Sequence, residues 1–522
     1  MQTTKIFLMA ALALMTIACS NDDNDIQTPA EQPAKAQGIP FTATISMGES
    51  ASTRALAEDT GNKKIVATWE TGEKVALIYT VGSTTYLKEA TVTPQTDGTA
   101  TISTTLEGSP VDDTDVTIVY PYSAVDESTK DVKTNLLASQ NGLLTGTGSI
   151  AEKYELRKTE TPAKLKIDGT TASLKGTVSL TNLNAIFKFT LQDLSAAAKS
   201  ATEFKVSANS GYVITTVTPG SASNVLYVAL PAMGDGTYWF NATIDNKPYI
   251  AKATMAAATV AGKYYQTTVK MATIGDVMAA NGKFYADAAA ITAASTTAIG
   301  VIAYLGTDNF TENGTTVGGN TFAGHGLVLC LKNAASGAAD AQWSTETSTL
   351  EFGDDAKVTD AAGLKRTTSV SGYTNTKTLA EKTDAATKYK AAYAAKNYTG
   401  LTAPAGTTGW FLPSAQQWVK MQEGLGGLAE SAIVWGSWFN NDHSAATAWE
   451  TAMAKAGTKG TAYDSMTDAY LWYWSSSECS ADYAVLLGVE ARGTGGDCGF
   501  RWYYYRKNYT YDNGRVRPVL AF

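Results

Sequence analysis

The first strong pattern in the chain is a strict alternation of apolar and polar residues between Phe41 and Met47. An alternation of period two predicts a β-strand with one buried face and one exposed face. The apolar face holds Phe41, Ala43, Ile45 and Met47. The segment that follows, 48–55, is small and polar and predicts an exposed loop.

Short strand patterns separated by Gly and Asp turns continue through the first half of the chain, which is typical of β-sandwiches. They cover Lys64–Trp69, Lys74–Tyr79, Tyr86–Val92, Ala100–Thr105, Val116–Tyr120, Leu165–Ile167, Gly176–Leu180, Ala185–Leu191, Glu203–Ala208, Val225–Leu230, Thr237–Thr243 and Tyr264–Met271. A polar, weakly patterned stretch at 121–160 divides them. We therefore predict a mainly β protein with two tandem β-sandwiches, residues 40–160 and 161–272.

The composition changes near residue 273. Of the 11 Trp residues only Trp69 and Trp239 precede this point, whereas both His and three of the four Cys residues follow it. Strand patterns now alternate with Ala-rich and Thr-rich stretches, and Ser414 is placed to cap a helix. Residues 273–522 therefore predict a separate α+β domain. Its apolar end, Val519–Phe522, predicts a strand paired into that domain.

The N-terminal segment predicts export. Lys5 precedes an apolar run, Ile6–Ala18, of the length of a signal-peptide core and too short to span a bilayer. Ala18 before Cys19 resembles the lipobox of bacterial lipoproteins, so residues 1–18 are expected to be a signal peptide and Cys19 the lipid attachment site. A plain secretory signal with an incidental Cys is the alternative. Residues 19–39 are acidic and polar and predict a tether, with membrane contact expected only through the lipid on Cys19.

Charge and motifs limit the chemistry. A net charge of -8 argues against nucleic-acid binding, which needs a basic surface. No common catalytic or phosphate-binding motif occurs, and two His residues leave few general bases. We expect no catalytic residue, no cofactor and no metal ion, and hence no enzyme. His325 is expected at a turn or strand edge with one nitrogen satisfied, and His443 in an exposed polar loop; a role in a site is the alternative for each.

Aromatic residues are concentrated after residue 400. Tyr503, Tyr504 and Tyr505 are consecutive on one predicted strand and cannot all face inward, because side chains alternate along a strand. Aromatic rings also offer flat faces to ligands. We interpret these three tyrosines as a ligand surface, with sugars as a candidate ligand, and a purely structural role in the core as the alternative.

Cys479 and Cys498 flank a predicted strand in a chain expected to be exported. An oxidising compartment makes a disulfide between them the favoured prediction, with two free thiols as the alternative. Cys330, within an apolar strand pattern, is expected to be a buried thiol.

Residues 38–272 resemble the fimbrillin family of Gram-negative surface pili, of the major- and minor-fimbrium (Mfa-like) kind. Three features carry the resemblance: the lipobox at Cys19, the strand Phe41–Met47 followed by Thr53-Arg54-Ala55, and the segment Thr68–Tyr79, which is similar to the family's W-x-x-G-D/E-x-V pattern. The acidic run after Cys19 looks like a surface-export signal. The resemblance implies transthyretin-like sandwiches and a location on the outer membrane surface and then in the fimbrium.

The C-terminal part is similar to C-type-lectin-like domains of secreted bacterial proteins. The similarity lies in Gly409–Ser414, Tyr473–Glu478 and Val516–Phe522. The calcium-site tripeptides of sugar-binding lectins, E-P-N and W-N-D, are absent from these segments, so calcium-dependent sugar binding is not implied.

The fimbrillin resemblance implies a mode of assembly. A protease cuts between Arg54 and Ala55, the strand carrying Phe41, Ala43, Ile45 and Met47 leaves with the lipid, and a strand of the next fimbrillin subunit fills the groove. Because the C-terminal domain follows the sandwiches, the chain is expected to accept a strand without donating one. This implies a pilus-tip adhesin or adaptor that binds other subunits and a host or bacterial glycan or protein. A stand-alone glycan-binding surface lipoprotein and a cell-surface glycan hydrolase are the alternatives.

Overall fold

The computed structural model describes residues 38–522 except for short gaps at 48–56, 60–63, 67, 134, 338–339, 434, 437–442, 469, 491–498 and 511–513. The architecture is mainly β, as predicted from the strand patterns. Two β domains follow each other, and a mixed domain of strands and short helices completes the chain.

The first domain is a closed sheet whose strands follow the order β10-β11-β1-β12-β9-β7-β4-β5-β6, with further pairings of β1 with β6 and of β10 with β7. A separate ribbon is formed by β2 and β3. The strands up to residue 182, of which β8 belongs to the second domain, are β1 Ile39–Ser46, β2 Ala57–Asp59, β3 Lys64–Val66, β4 Lys74–Val81, β5 Thr84–Pro94, β6 Ala100–Leu106, β7 Asp115–Tyr120, β8 Ser139–Gln140, β9 Arg157–Thr159, β10 Ala163–Asp168, β11 Thr171–Leu174 and β12 Val178–Asn182.

The position of the domain boundary differs from the sequence expectation. We expected the second sandwich to begin at residue 161, but β10, β11 and β12 (Ala163–Asn182) pair with β1, β7 and β9 of the first sheet. The change of sheet falls between Asn182 and Asn184. The reason is that alternation predicts a strand and its buried face, whereas the choice of sheet depends on pairing partners distant in sequence.

The second domain is an eight-stranded sheet in the order β16-β13-β19-β18-β17-β14-β15-β8. Its core is rich in phenylalanine, with Phe189 packed against Phe204 and Phe240. The short strand β8 enters from the preceding segment because Gln140 bonds both to Thr215 and to the backbone of Ala229. The remaining strands are β13 Asn184–Asp193, β14 Glu203–Ala208, β15 Val213–Val217, β16 Val225–Pro231, β17 Gly236–Ile244, β18 Lys247–Met255 and β19 Tyr264–Thr273.

The C-terminal domain contains two five-stranded sheets, β21-β20-β22-β25-β31 and β26-β30-β27-β28-β29, and the short ribbon β23-β24. Its strands are β20 Val277–Ala279, β21 Phe284–Tyr285, β22 Ala298–Leu305, β23 Thr316–Val317, β24 Asn320–Thr321, β25 Gly326–Cys330, β26 Ala335–Ser336, β27 Leu471–Glu478, β28 Tyr483–Glu490, β29 Gly499–Arg506, β30 Gly514–Val516 and β31 Val519–Ala521. Its helices are α1 Ala288–Ala293, α2 Ala361–Leu364, α3 Gly372–Ala380, α4 Ala385–Lys388, α5 Lys390–Lys396, α6 Ala415–Gly426 and α7 His443–Ala454.

Helix α6 begins where the sequence predicts. The Ser414 side chain accepts from the backbone of Gln417, and the Gln417 side chain accepts from the backbone of Ser414, which forms a capping box. The buried face of α6 brings Trp418 against Trp449 of α7 and against Tyr473 of β27. Among the described residues, no helix combines the length and apolar character needed to cross a membrane.

Candidate functional site

The first strand of the described chain occupies a slot in the first domain. We define the β1 slot as the space between β6 on one side and β11 and β12 on the other, which Phe41–Met47 fill. Seven residue pairs join β1 to β6 in antiparallel register, from Ile39 opposite Leu106 to Ile45 opposite Ala100. The other edge of β1 runs parallel to β11 and β12. Strand β1 therefore closes the sheet.

The inward side chains of β1 are part of the domain core, as predicted. Phe41, Ala43, Ile45 and Met47 are all buried and pack in the same cluster as Tyr79 and Ile102. The side chains between them face outward; Thr42 is exposed, and Ser46 forms a hydroxyl contact of 2.8 Å with Ser179. The slot thus offers backbone partners on two sides and apolar space on one face.

A buried ion pair holds the C-terminal end of the slot. Arg157 lies against Glu155 with 2.6 Å between Nη2 and Oε1, and both side chains are almost fully buried. Nη1 of Arg157 donates to the carbonyl of Met47 at 2.5 Å. Arg157 thereby provides a hydrogen-bond donor for the Met47 carbonyl, directly after β1, and links this end of the strand to β9.

The remaining residues of the predicted maturation site lie outside the described residues. They are the lipidation residue Cys19 and the cleavage pair Arg54 and Ala55. Lipidation at Cys19, cleavage after Arg54 and removal of β1 therefore stay predictions.

The C-terminal strand β31 has a different setting. It pairs with β25 on one edge, and Phe411 exchanges two backbone hydrogen bonds with Val519 on the other. Val519 and Ala521 pack into the cluster around α6 and α7, whereas Leu520 and Phe522 pack into the cluster shared with the second domain. Both faces of β31 are therefore buried, and the prediction that the chain end is a paired strand is confirmed.

The three consecutive tyrosines of β29 lie on both faces of its sheet. Tyr503 and Tyr505 pack near Trp472, and the Arg501 guanidinium lies 4.8 Å from the centre of the Tyr503 ring. Tyr504 is 36% exposed and stacks on Trp435 with 5.9 Å between ring centres. The prediction that the three tyrosines cannot all face the core is therefore met by Tyr504. Ligand binding by Tyr503, Tyr504 and Tyr505 stays a prediction.

The described cysteines differ in their surroundings. Cys330 is a buried free thiol within β25, as predicted, and burial raises its pKa to about 12. Cys479 is half-buried and is a free thiol with respect to the described residues. Cys498 lies outside those residues, so its pairing with Cys479 stays a prediction.

His325 lies in the loop directly before β25, but the expectation that one of its ring nitrogens is satisfied is wrong. The ring is buried, lies 4.1 Å from the Trp239 ring between centroids, and has no hydrogen-bond partner for either nitrogen among the described residues. Burial, with a smaller contribution from the charge of Lys252, lowers the pKa of His325 to about 4. The backbone N–H of His325 donates to the carbonyl of Phe522 at 2.6 Å. His325 therefore lies at the contact between the second and C-terminal domains.

His443 is also placed differently from the expectation. It is exposed, but it is the first residue of helix α7 and not part of a loop. Within the part of the chain that the structure describes, no group of three or more His, Cys, Asp or Glu side chains could hold a metal ion.

Comparison with known proteins gives matches among solved structures. No protein-family model matches the chain, and no curated protein matches it. It is similar to a fimbrial protein from Bacteroides ovatus, at 15% identity and a TM-score of 0.32 over 93% of this chain and 99% of that one. It is also similar to a candidate cell adhesion protein from Bacteroides uniformis (15% identity, TM-score 0.26, 46% and 98% covered) and to a fimbrial assembly protein from Parabacteroides distasonis (14%, 0.23, 44% and 90%).

Proposed function

We propose that this chain is a non-enzymatic surface pilus subunit that is activated by losing β1 and then accepts a strand from a neighbouring subunit. The observation that carries the proposal is the position of β1. It closes the first sheet, yet it is the first strand of that sheet, so its removal leaves all other strands covalently connected. A strand from the middle of the chain could not leave in this way.

The physical reason for assembly follows from what the empty slot would expose. The edge of β6 would lose its partner over seven residue pairs, and the apolar trough under Phe41, Ile45 and Met47 would be open to water. Unpaired strand edges bind other strands, and alternate apolar side chains of an incoming strand can fill the trough. Burial of each large apolar side chain contributes roughly 1.5–3 kcal/mol.

The C-terminal strand supports a tip position. A subunit within a pilus stalk must also donate a strand, but β31 is paired along two edges and buried on both faces. Its release would expose the cores of two clusters, so we propose that β31 is retained in its own domain and is not donated to another subunit. Such a subunit ends the pilus, with the C-terminal domain as the adhesive or adaptor part.

The proposed adhesive surface is the aromatic surface of β29. The proposed ligand is a host or bacterial glycan or protein, with Tyr503, Tyr504 and Tyr505 as contact residues. The exposed ring of Tyr504, held by stacking on Trp435, supports a surface that binds by contact alone.

A stand-alone lipoprotein is the second candidate. It is favoured by the intact pairing of β1 in its own slot, which a chain that keeps its N-terminus and the proposed lipid on Cys19 would retain.

N-terminal sequencing of the surface form tests the two functions. In cells that assemble the pilus, the mature chain is expected to begin at Ala55, and Arg54→Ala and Arg54→Lys should both prevent processing and incorporation. Lys63→Ala is the matched control in the same stretch and should leave both unchanged. A surface form that begins at Cys19 would contradict the pilus proposal and support the lipoprotein.

A further inference from the structure

A cleft of about 560 Å³ in the C-terminal domain has a lining that the proposed function does not use. It lies between three segments distant in sequence, 309–315, 352–356 and 369–375. Tyr503, Tyr504 and Tyr505 are not among its lining residues. We call it the polar cleft.

The lining of the polar cleft is polar but carries no charge. Its polar side chains are amides and hydroxyls, and no Asp, Glu, Lys, Arg or His side chain lines it. Phe352 contributes an aromatic ring to the wall. The polar side chains are Asn309, Asn313, Thr315, Ser371, Thr374 and Asn375, together with Ser369.

The cleft is held in shape from behind by a buried carboxylate. Glu312 is fully buried, and it accepts from the Ser371 hydroxyl at 2.5 Å and from the Tyr373 backbone N–H at 3.2 Å. The Gln417 amide donates to the same carboxylate at 2.6 Å. Two wall segments are therefore fixed to each other and to helix α6, so the cleft exists before any ligand arrives.

Two residues at the cleft have an unfavourable backbone conformation. Glu312 and Ser369 have φ values of 61° and 55°, in the left-handed region that residues other than glycine rarely adopt. Such strain persists where surrounding contacts impose it, and it is concentrated at binding sites.

Several lining groups keep hydrogen-bonding capacity. The Asn309 amide and the Ser369 hydroxyl are exposed and have no hydrogen-bond partner among the described residues. The Asn375 amide nitrogen donates toward Ser476, which leaves its carbonyl oxygen to accept. The cleft thus presents donors and acceptors together, beside an aromatic ring.

We propose that the polar cleft binds a neutral saccharide. Sugar hydroxyls both donate and accept, which matches amides and hydroxyls, and the C–H face of a sugar ring packs on an aromatic side chain. An anionic ligand would lack a cation in the lining, and a cationic ligand would lack a carboxylate. The volume lies in the range of small-ligand sites.

This proposal goes beyond the strand exchange and the β29 surface, and it involves neither. Processing at Arg54 should leave saccharide binding unchanged, so the two proposals can fail separately.

The test uses the purified full chain on an array of neutral di- and trisaccharides that end in glucose, galactose, mannose or N-acetylglucosamine, with sialylated and sulfated saccharides as charged counterparts. Binding to neutral members is expected. The variant Asn309→Ala/Ser369→Gly should weaken it about tenfold or more, because two hydrogen bonds are lost. It should keep the wild-type melting temperature, because Asn309 is exposed and glycine suits the φ of residue 369.

Phe352→Leu is a second variant that keeps an apolar side chain but removes the flat ring, and it should also weaken binding. Tyr393→Ala is the matched control, since it removes an exposed aromatic ring elsewhere in the same domain. Tyr504→Ala reports separately on the β29 surface. Absence of binding to every neutral saccharide at millimolar concentration would overturn the proposal. So would preference for charged saccharides, full binding by the double variant, or loss of binding only in Tyr504→Ala.

Discussion

The first and last strands of the described chain are both paired along two edges, yet their faces differ. Strand β1 alternates, with Phe41 and Ile45 in the core and Thr42 toward solvent. Strand β31 is buried on both faces, with Leu520 in one cluster and Ala521 in another. A strand with one polar face can leave at the cost of one core surface, whereas a strand with two apolar faces holds two layers together. The comparison teaches that edge pairing alone does not decide whether a strand is exchangeable.

Deletion of Pro518–Phe522 removes β31, which is buried on both faces, and should have the largest effect on folding. The edge of β25 and two apolar clusters would be exposed, so the C-terminal domain is expected not to fold. Near-ultraviolet circular dichroism measures this, because most Trp residues lie in that domain. In the matched experiment, a chain without residues 1–47 should regain stability on addition of a peptide of residues 39–47. A peptide of residues 518–522 is expected not to restore the fold of the C-terminal deletion. If both peptides restored their deletion variants equally well, the comparison would be contradicted.

Phe41→Ala tests the inward face of β1. The substitution leaves a cavity beside fully buried neighbours and should lower the free energy of unfolding by roughly 3–5 kcal/mol. Thr42→Ala, one position along on the exposed face, is the control and should change it by less than about 0.5 kcal/mol. Urea unfolding of the first domain measures both, and similar values for the two variants would show that β1 has no buried face.

Acidification should weaken the contact that holds the chain end. His325 is neutral when folded, because its pKa is lowered from 6.5 to about 4, so the unfolded state binds more protons between these values. The contribution of His325 to the free energy of unfolding is fully present above pH 6.5. It falls by roughly 3 kcal/mol as the pH is lowered toward 4. His325→Leu should remove this component while the carboxylates titrate as before. Identical pH profiles of unfolding for wild type and variant would contradict the assignment.

The smallest effect is expected on the outward face of β1. Ser46→Ala removes the hydroxyl contact with Ser179, which is exposed, and should cost about 0.5 kcal/mol. Ser179→Ala should cost the same, and the double variant no more, since both remove one bond. A loss of several kcal/mol in urea unfolding would mean that this face is also essential for retention of the strand.

Much of the fold could be predicted from local patterns, because alternation identifies a strand without knowledge of its partners. The strand Phe41–Met47, the helix after Ser414 and the paired chain end were found in this way. The return of β10–β12 to the first sheet could not be, because register and sheet membership depend on distant partners. Strand β8 was missed because its two polar residues show no period.

The functional sites also divide into residues that a local sequence pattern identifies and residues that only the fold brings together. The inward residues of β1 follow from period two, but the buried ring of His325 gave no signal, since its neighbours in sequence are glycines. The polar cleft was also missed. Its amides and hydroxyls come from segments tens of residues apart, and short polar side chains have the same appearance in any loop. Only the fold brings them together.

The place of β1 at the beginning of the sheet also sets the timing of the proposed exchange. While the chain is intact, β1 competes for its slot as a tethered ligand, at an effective concentration on the order of millimolar that a free strand from another subunit does not reach. Cleavage after Arg54 would convert this tethered ligand into one that dissociates and is diluted. The cut would therefore act as a one-way trigger, with no change needed in the residues that form the slot.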